Sequence, residues 1–450
     1  MSACKQCRFS GVSLRSGTGI TAAAILIAAA IAAPLFAQTD SGLASNLAAF
    51  NAGLNGLIAE VRTNNPQLKA AGYRTEAARA AAGFQKFLDP PLLGIDFFQT
   101  PLSSFPDPIG RDAEIDYSIQ QMFPFPGKLS SMASAEQSRS AMYGADAKTL
   151  EQVIIRDCKM AWFEIYLIDR RLQVNAENQG LLKSFIGITR RQYEVGRGTQ
   201  ADILRGQTEL STLETDALVL HQERRSAEAM IDALRGGQAA ASVGPIAEIV
   251  PPVYEFAPER LDSLAMKNRP ELMSMHLGIV MQGQELAAAR REFYPDFMVR
   301  GVYKQMKGMP DNWELMLGMT LPVAPWSYGK YASGAARASF DESRAREEAG
   351  NMINMVRAQV RTALVKIQSA GERMRLYRST VVPQARATLQ SAIAGYQNGK
   401  EDFLGLIDAR RTLLMAQQDY HMAVMSLLSA QAELEKAVGV NYNDIVLQTR

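Results

Sequence analysis

Cysteine and histidine are scarce, with three of each in 450 residues. Cys4 and Cys7 lie near the start, which leaves Cys158 alone in the rest of the chain. One cysteine cannot close an intramolecular disulfide, so no disulfide framework is expected. His221, His276 and His421 are isolated and share no metal-ligand spacing. No nucleophile elbow or zinc-protease motif occurs. Gly196-Arg-Gly198-Thr-Gln-Ala201 has the form of a dinucleotide loop, but it follows a helical pattern and not a strand. Neither an enzyme, a cofactor nor a bound metal is therefore expected. Net charge is also small, a formal +2. That excludes the general basic character of a nucleic-acid binder.

Long apolar runs are missing everywhere except near the start. Lys5, Arg8 and Arg15 form a basic region, Ile20 to Ala33 is apolar, and Pro34-Leu-Phe-Ala37 follows. This pattern reads as a signal peptide over residues 1–37, cleaved after Ala37. An uncleaved anchor is the alternative, but the run falls short of the roughly 20 residues a span needs. No cysteine follows the run, which excludes lipoprotein-type processing. With no second apolar run, any later membrane contact has to be made by β-strands or at the surface.

The remaining sequence is dominated by helical patterns. Leu43 to Arg62 is the first, and Asn65-Pro-Gln-Leu68 opens a second that runs to Phe87. After Asp89-Pro-Pro91 the period changes to two. Leu92 to Gln99 and Glu114 to Met122 predict a hairpin, with a Pro- and Gly-containing loop over Thr100 to Asp112. Ile115, Tyr117, Ile119 and Gln121 share one face; Asp116, Ser118 and Gln120 share the other. Phe123-Pro-Phe-Pro-Gly127-Lys128 closes the hairpin. From Ser130 to Gln192 there is no proline, and Leu150, Ile154, Cys158, Ala161, Ile165, Ile168 and Leu172 recur at helical spacing. A helix of that extent is about 90 Å long, too long for a compact domain. Tyr193-Glu-Val-Gly196-Arg-Gly198 breaks it, and a return helix follows from Thr199 to Leu234.

Gly236 to Pro258 is weak in pattern and predicts a linker. The order of elements then starts again. Asn268-Arg-Pro-Glu-Leu272 answers Asn64-Asn-Pro-Gln-Leu68. Phe297 to Lys304 and Trp313 to Leu321 predict a second hairpin, with Leu315, Leu317 and Met319 on one face and Glu314 and Gly318 on the other. A second long helix from Ala332 to Asn398, kinked at Pro383, ends at Tyr396-Gln-Asn-Gly399. Its return helix reaches Val438. The two tyrosines are 396 − 193 = 203 residues apart. Repetition at a fixed offset predicts an internal duplication, with repeats at 38–245 and 246–450. Each repeat holds one β-hairpin (92–122 and 297–321) and one pair of coiled-coil helices (130–235 and 332–438). The fold class is mainly α with a small β part. Four strands are too few to close a barrel, so insertion in a membrane requires several copies of the chain.

This order resembles the TolC-type outer-membrane efflux family. The specific signals are Tyr193-x-x-Gly196 with Asp202, Tyr396-x-x-Gly399 with Leu406-Ile-Asp-Ala-Arg410, and Pro-Phe-Pro-Gly-Lys128. The resemblance implies a trimer in which four strands per subunit form one transmembrane β-barrel. A long periplasmic α-helical barrel continues it. It implies a passive exit duct for small molecules, metal ions or proteins, localised to the outer membrane and extending into the periplasm. A periplasmic adaptor and an inner-membrane pump of RND or ABC type would be its partners, and outer-membrane lipid its surroundings.

The resemblance also implies a gate at the two turns. Asp408 falls on a constriction aspartate, and Gly405 stands where a second one is expected, with Glu401 and Asp402 close by. Asp202 matches the acid of the first turn, and Tyr396 matches the tyrosine that bonds to it when closed. Glu401 replaces a basic residue, for which Lys400 or Arg197 would substitute. Tyr193, Gly196, Arg197, Gly198, Gly399 and Lys400 form the turns and would face an adaptor. Physically, acids crowded at a narrow axis repel one another and hold cations. Asp202 and Asp402 also stand in a first helical turn, where an acid stabilises the N-terminus. Asp408 is a full turn further in. Met298, Met306, Met309, Met316 and Met319 around the second hairpin suit soft metals or adaptable packing. The rival reading is a periplasmic coiled-coil adaptor or scaffold that never enters a membrane.

Overall fold

The structure is a computed structural model that describes residues 33–98, 114–237, 242–306 and 308–449. The first 32 residues of the expected leader and the loop from Thr100 to Asp112 lie outside that set. Helix α1 (Ala33–Asn64) and helix α2 (Pro66–Phe84) lead to strands β1 (Leu92–Phe98) and β2 (Glu114–Phe123). Helix α3 (Lys128–Glu194) and its return α4 (Gln200–Leu234) follow. After a strap over 242–257 come α5 (Pro258–Asn268), α6 (Pro270–Arg291), β3 (Phe297–Met306) and β4 (Asn312–Met319). Helix α7 (Tyr328–Leu376), a π-helical turn (Tyr377–Val381) and α8 (Val382–Gln397) form one continuous rod. Helix α9 (Phe403–Val438) returns, and α10 (Tyr442–Thr449) ends the chain.

Local chemistry sets these boundaries. Asn65 caps α2 by accepting from Gln67 N and Leu68 N at 2.9 and 3.2 Å, with Pro66 in the first turn where its missing N–H costs nothing. The 67 residues of α3 make a rod of about 100 Å. Proline 383 cannot donate to the preceding turn, and the rod absorbs the lost bond as the π-helical turn just before it. Val382 N bonds there to Tyr377 O, five residues back.

The four strands form one antiparallel sheet in the order β1-β2-β3-β4. The register aligns Ile95, Tyr117, Tyr303 and Trp313 in one row, and Leu93, Ile119, Gly301 and Leu315 in the next. Period two then sends Phe97, Ile115, Val299 and Leu317 to that same face. Apart from buried Ile115, the large apolar side chains of β1 and β4 on this face are exposed: Trp313 is 80% accessible and Leu317 is 73%. The opposite face carries charge. Lys304 reaches Glu314 at 3.1 Å and Glu114 at 3.6 Å, and Arg300 reaches Asp96 at 3.4 Å. Strands β1 and β4 each keep one edge unpaired within the sheet.

The Pro-Phe-Pro-Gly-Lys motif fastens this sheet to the rods. Gly127 takes φ +90°, and Lys128 turns inward, buried, to reach Asp296 at 2.9 Å and Glu292 at 3.2 Å. Asp296 also accepts from Phe125 N at 2.8 Å, and Phe125 stacks on Tyr294 at 4.4 Å. Burial alone would lower the Lys128 pKa, but the Asp296 and Glu292 carboxylates outweigh it and the net shift is upward.

The largest core lies midway along the rods. Ile154, Cys158, Ala161, Ile165 and Ile168 of α3 meet Phe50 and Leu57 of α1, Val360 and Ile367 of α7, and Val424 and Leu427 of α9. The segment expected to be a linker is bound across these helices. Ile246 N donates to Asp169 at 2.8 Å, Arg224 donates to Val243 O at 2.7 Å, and Gln431 donates to Pro252 O at 2.9 Å. Ile246, Ile249 and Phe256 are buried. Low periodicity here marks a strap held by side-chain hydrogen bonds, which leave no repeating sequence signature. The boundary expected at 245/246 falls inside it.

Equivalent joints recur at the same offset. Gly236 and Gly439 both have positive φ, and a Cβ on either would press on a backbone oxygen, that of Asn64 or Asn268.

Candidate functional site at the paired hairpin tips

Each rod ends in the same turn. Gly196 and Gly399 adopt φ of +75° and +69°. In the first, Arg197 N bonds back to Gln192 O at 2.8 Å and Gly196 N to Tyr193 O at 3.0 Å. In the second, Lys400 N bonds to Gly395 O at 2.9 Å and Gly399 N to Tyr396 O at 3.2 Å. Both are Schellman closures, which demand a left-handed residue just past the helix; that is why glycine stands three after each tyrosine. Gly198 fits closely over the backbone of Tyr193.

The return helices start differently. Thr199 caps α4 in a reciprocal box: its hydroxyl accepts from Asp202 N at 3.2 Å, and the Asp202 carboxylate accepts from Thr199 N at 3.3 Å. Asp402 caps α9 alone, accepting from Gly405 N at 2.8 Å. With the offset of 203, Asp402 stands where Thr199 does and Gly405 where Asp202 does. A Cβ on Gly405 would collide with the Glu401 carboxylate. The Glu401 carboxylate thus occupies the space beside position 405.

Tyr396 is buried while Tyr193 is half exposed. The hydrogen bond expected between Tyr396 and Asp202 is not formed. The Tyr396 hydroxyl instead donates to Thr189 Oγ1 at 3.1 Å, and the Asp202 carboxylate is occupied by its own helix cap. Burial raises the Tyr396 pKa, and the Thr189 hydrogen bond acts against this. The cation nearest Asp202 is Arg205, at 3.9 Å, in place of the expected Lys400 or Arg197. Asp408 is exposed one turn into α9.

An apolar cluster binds the two tips together. Leu182 and Phe185 of α3 pack with Leu389 and Tyr396 of α8 and with Phe403, Leu406, Ile407 and Leu413 of α9. Gly206 makes room for this: a Cβ there would lie 2.9 Å from Ile186 and 3.3 Å from Phe403. Between the tips lies an open groove of about 730 Å³, lined by Arg197, Asp202, Tyr396, Glu401, Asp402 and Leu404 among others. Above the tips, Glu209 of α4 receives both Arg410, at 2.7 Å, and Arg411 of α9. Sequence reasoning passed over Thr189, Gly206, Glu209 and Arg411. Only the doubled arginine after Asp408-Ala409 marked the last position. Of the five methionines, the sheet places four: Met298, Met306 and Met316 lie on its charged face, and Met319 on the apolar one.

Comparisons with known proteins agree with this architecture. The family model described as outer membrane efflux protein matches residues 57–237 and 261–440. Nodulation protein T of Rhizobium leguminosarum bv. trifolii is 22% identical over 326 residues, covering 69% of this chain and 68% of that protein. The toluene efflux pump outer membrane protein TtgF of Pseudomonas putida is 19% identical over 415 residues, covering 87% and 84%. The solved outer-membrane channel OprN shares the fold with a TM-score of 0.74 at 18% identity, covering 87% of this chain and 91% of that one. The fold and family are those of channels. The chain belongs to the outer membrane efflux protein family and is an outer-membrane channel protein extending into the periplasm.

Proposed function

We propose that three copies of this chain, each an internal duplication of one hairpin-and-rod unit, build a single exit duct. The observation that carries this is the sheet. It has one exposed apolar face, one charged face and two free edges. Exposed Leu93, Ile95, Trp313 and Leu317 match a lipid surface, and the Lys304 and Arg300 ion pairs match a wet lumen. In lipid an open edge cannot persist, so β4 of one copy pairs with β1 of the next until three copies close twelve strands. The rods then line the continuation of the duct, and the tips close it. A periplasmic scaffold outside the membrane leaves the apolar face unexplained.

In the closed duct, Glu401 and Asp408 from three copies form the acidic constriction, with Asp202 and Asp402 holding the helix starts beside it. Chains of one charge sign at a narrow axis favour cations and open when a partner supplies the opposite charge or separates the tips. The adaptor meets the turns at Tyr193, Gly196, Arg197, Gly198, Gly399 and Lys400, and an RND or ABC pump selects the cargo. Fractionation tests the assembly. The protein should be recovered with the outer membrane as a species of three chains that boiling converts to one. Recovery as a soluble periplasmic monomer contradicts the proposal.

A further inference from the structure

Arg410 is the largest almost fully buried side chain among the described residues, with 1% of its surface accessible. Its neighbours along α9, Leu406, Ile407, Ala409 and Leu413, belong to the apolar cluster binding the tips. Its position is costly. One guanidinium nitrogen, Nη2, reaches Glu209; Nε and Nη1 have no partner. Arg411 competes for the same carboxylate and adds like charge. A buried charge with one shared partner recovers less than it loses on leaving water. Burial and Arg411 both disfavour its charged form, and Glu209 alone favours it. The equivalent position on α4 (410 − 203 = 207) is Gln207, which is exposed and uncharged. The first hairpin therefore has no arginine at the matching position.

We propose that Arg410 is a spring built into α9 that drives the tips apart, and that Glu209 of α4 is the catch restraining it. The proposal rests on the reading of the tips as a gate and names how that gate is balanced. While α4 and α9 stay together, Glu209 offsets part of the burial cost. Once they separate, Arg410 meets water and the cost disappears. Beside the apolar cluster and the Tyr396–Thr189 bond, the closed state is thus held by the Glu209 carboxylate and opposed by the cation that carboxylate holds. Arg411 is half exposed. Its pairing to Glu209 is worth little on its own, but it keeps Glu209 partnered when Arg410 is replaced.

A simple tie and a spring with a catch predict different signs. If the pair were only a tie, removing either partner would open the channel. With a spring, Glu209→Gln leaves Arg410 buried and unpaired, and the channel opens. Arg410→Met removes the strain and leaves Glu209 bound to Arg411, so the channel stays shut. The test is single-channel recording of purified full-length protein in planar bilayers at neutral pH. Glu209→Gln should raise open probability by about tenfold or more. Arg410→Met should match or fall below the wild type, and the double variant should resemble Arg410→Met. If Glu209→Gln fails to assemble, Arg410→Met decides alone: a more open channel overturns the proposal. A conducting wild type with both single variants opened alike, or Glu209→Gln unchanged, overturns the spring and leaves the duct intact. A wild type that forms no pore overturns the duct and the spring with it.

Discussion

The Tyr396 hydroxyl donates to Thr189 Oγ1 at 3.1 Å, joining the end of α8 to α3 across 207 residues of sequence. This bond is inside the tip cluster, not at the acidic mouth. It holds the second tip on the first by a buried neutral contact, whose net worth is about 1 kcal/mol. Tyr396→Phe should therefore loosen the tips slightly, and Thr189→Val should do the same. Hydrogen exchange of the α8 C-terminal amides measures this. Faster exchange in both variants is expected, and no change in either would show that the bond contributes nothing.

Asp202 acts first as a helix cap. Thr199→Ala removes the hydroxyl that accepts from Asp202 N and should weaken the start of α4 by about 1 kcal/mol. Asp202→Asn should be milder, because an amide oxygen still accepts from Thr199 N. Exchange rates over residues 199–205 report both. Equal protection in all three proteins would remove the capping assignment.

In the proposed duct the constriction acids are Asp408 and Glu401. Asp408→Ala should weaken block by multivalent cations and raise conductance, and Glu401→Gln should add to it. Gly405→Asp should displace the Glu401 carboxylate and leave block near the wild-type level, since one acid replaces another in that layer. A channel with unchanged cation block after both neutralisations would reject the assignment.

The junction of sheet and rods depends on Lys128. Asp296→Ala leaves that buried ammonium with Glu292 alone and strips Phe125 N of its acceptor. A loss of about 3 kcal/mol or more is expected. Lys128→Met should cost less, because Asp296 keeps Phe125 N and is itself partly exposed. Thermal melts followed by circular dichroism give the order directly, and the reverse order would contradict it.

His421 gives the fold a pH dependence. Burial, with Arg170 adding to it, lowers its pKa from 6.5 to about 4. The unfolded chain takes up that proton more readily, so stability is full above pH 6.5 and falls as pH drops through the window from 6.5 to 4. About 3 kcal/mol is at stake. His421→Gln should flatten this part of the urea midpoint against pH. An unaltered slope would place the dependence on other groups.

Much of the fold was legible because long elements repeat their period many times. The seam from Leu150 to Leu172 and the alternation from Leu315 to Met319 each state one apolar side over several turns or rows. The turns were legible for another reason: Gly196 and Gly399 answer a backbone requirement that few residues meet. The strap over 242–257 was not, because its bonds run from its backbone to Asp169, Arg224 and Gln431 on distant helices. The tip contacts were hidden likewise. Thr189, Gly206, Glu209 and Arg410 gain meaning only when α3, α4 and α9 meet, and no spacing within one helix announces that. The resemblance to the family named the acids of the turns, but the bond from Tyr396 runs to Thr189 on α3 and not to Asp202 on α4.

The central claim is that β1 and β4 of neighbouring copies close one barrel. Cysteine cross-linking in intact outer membranes tests it most directly. Ile95→Cys on β1 is combined in turn with Trp313→Cys, Leu315→Cys or Leu317→Cys on β4, because the register across the seam is set by the barrel's shear. The account predicts that at least one pair gives a reducible product that stops at three chains. Monomers alone from every pair, or a ladder running past three, would contradict it.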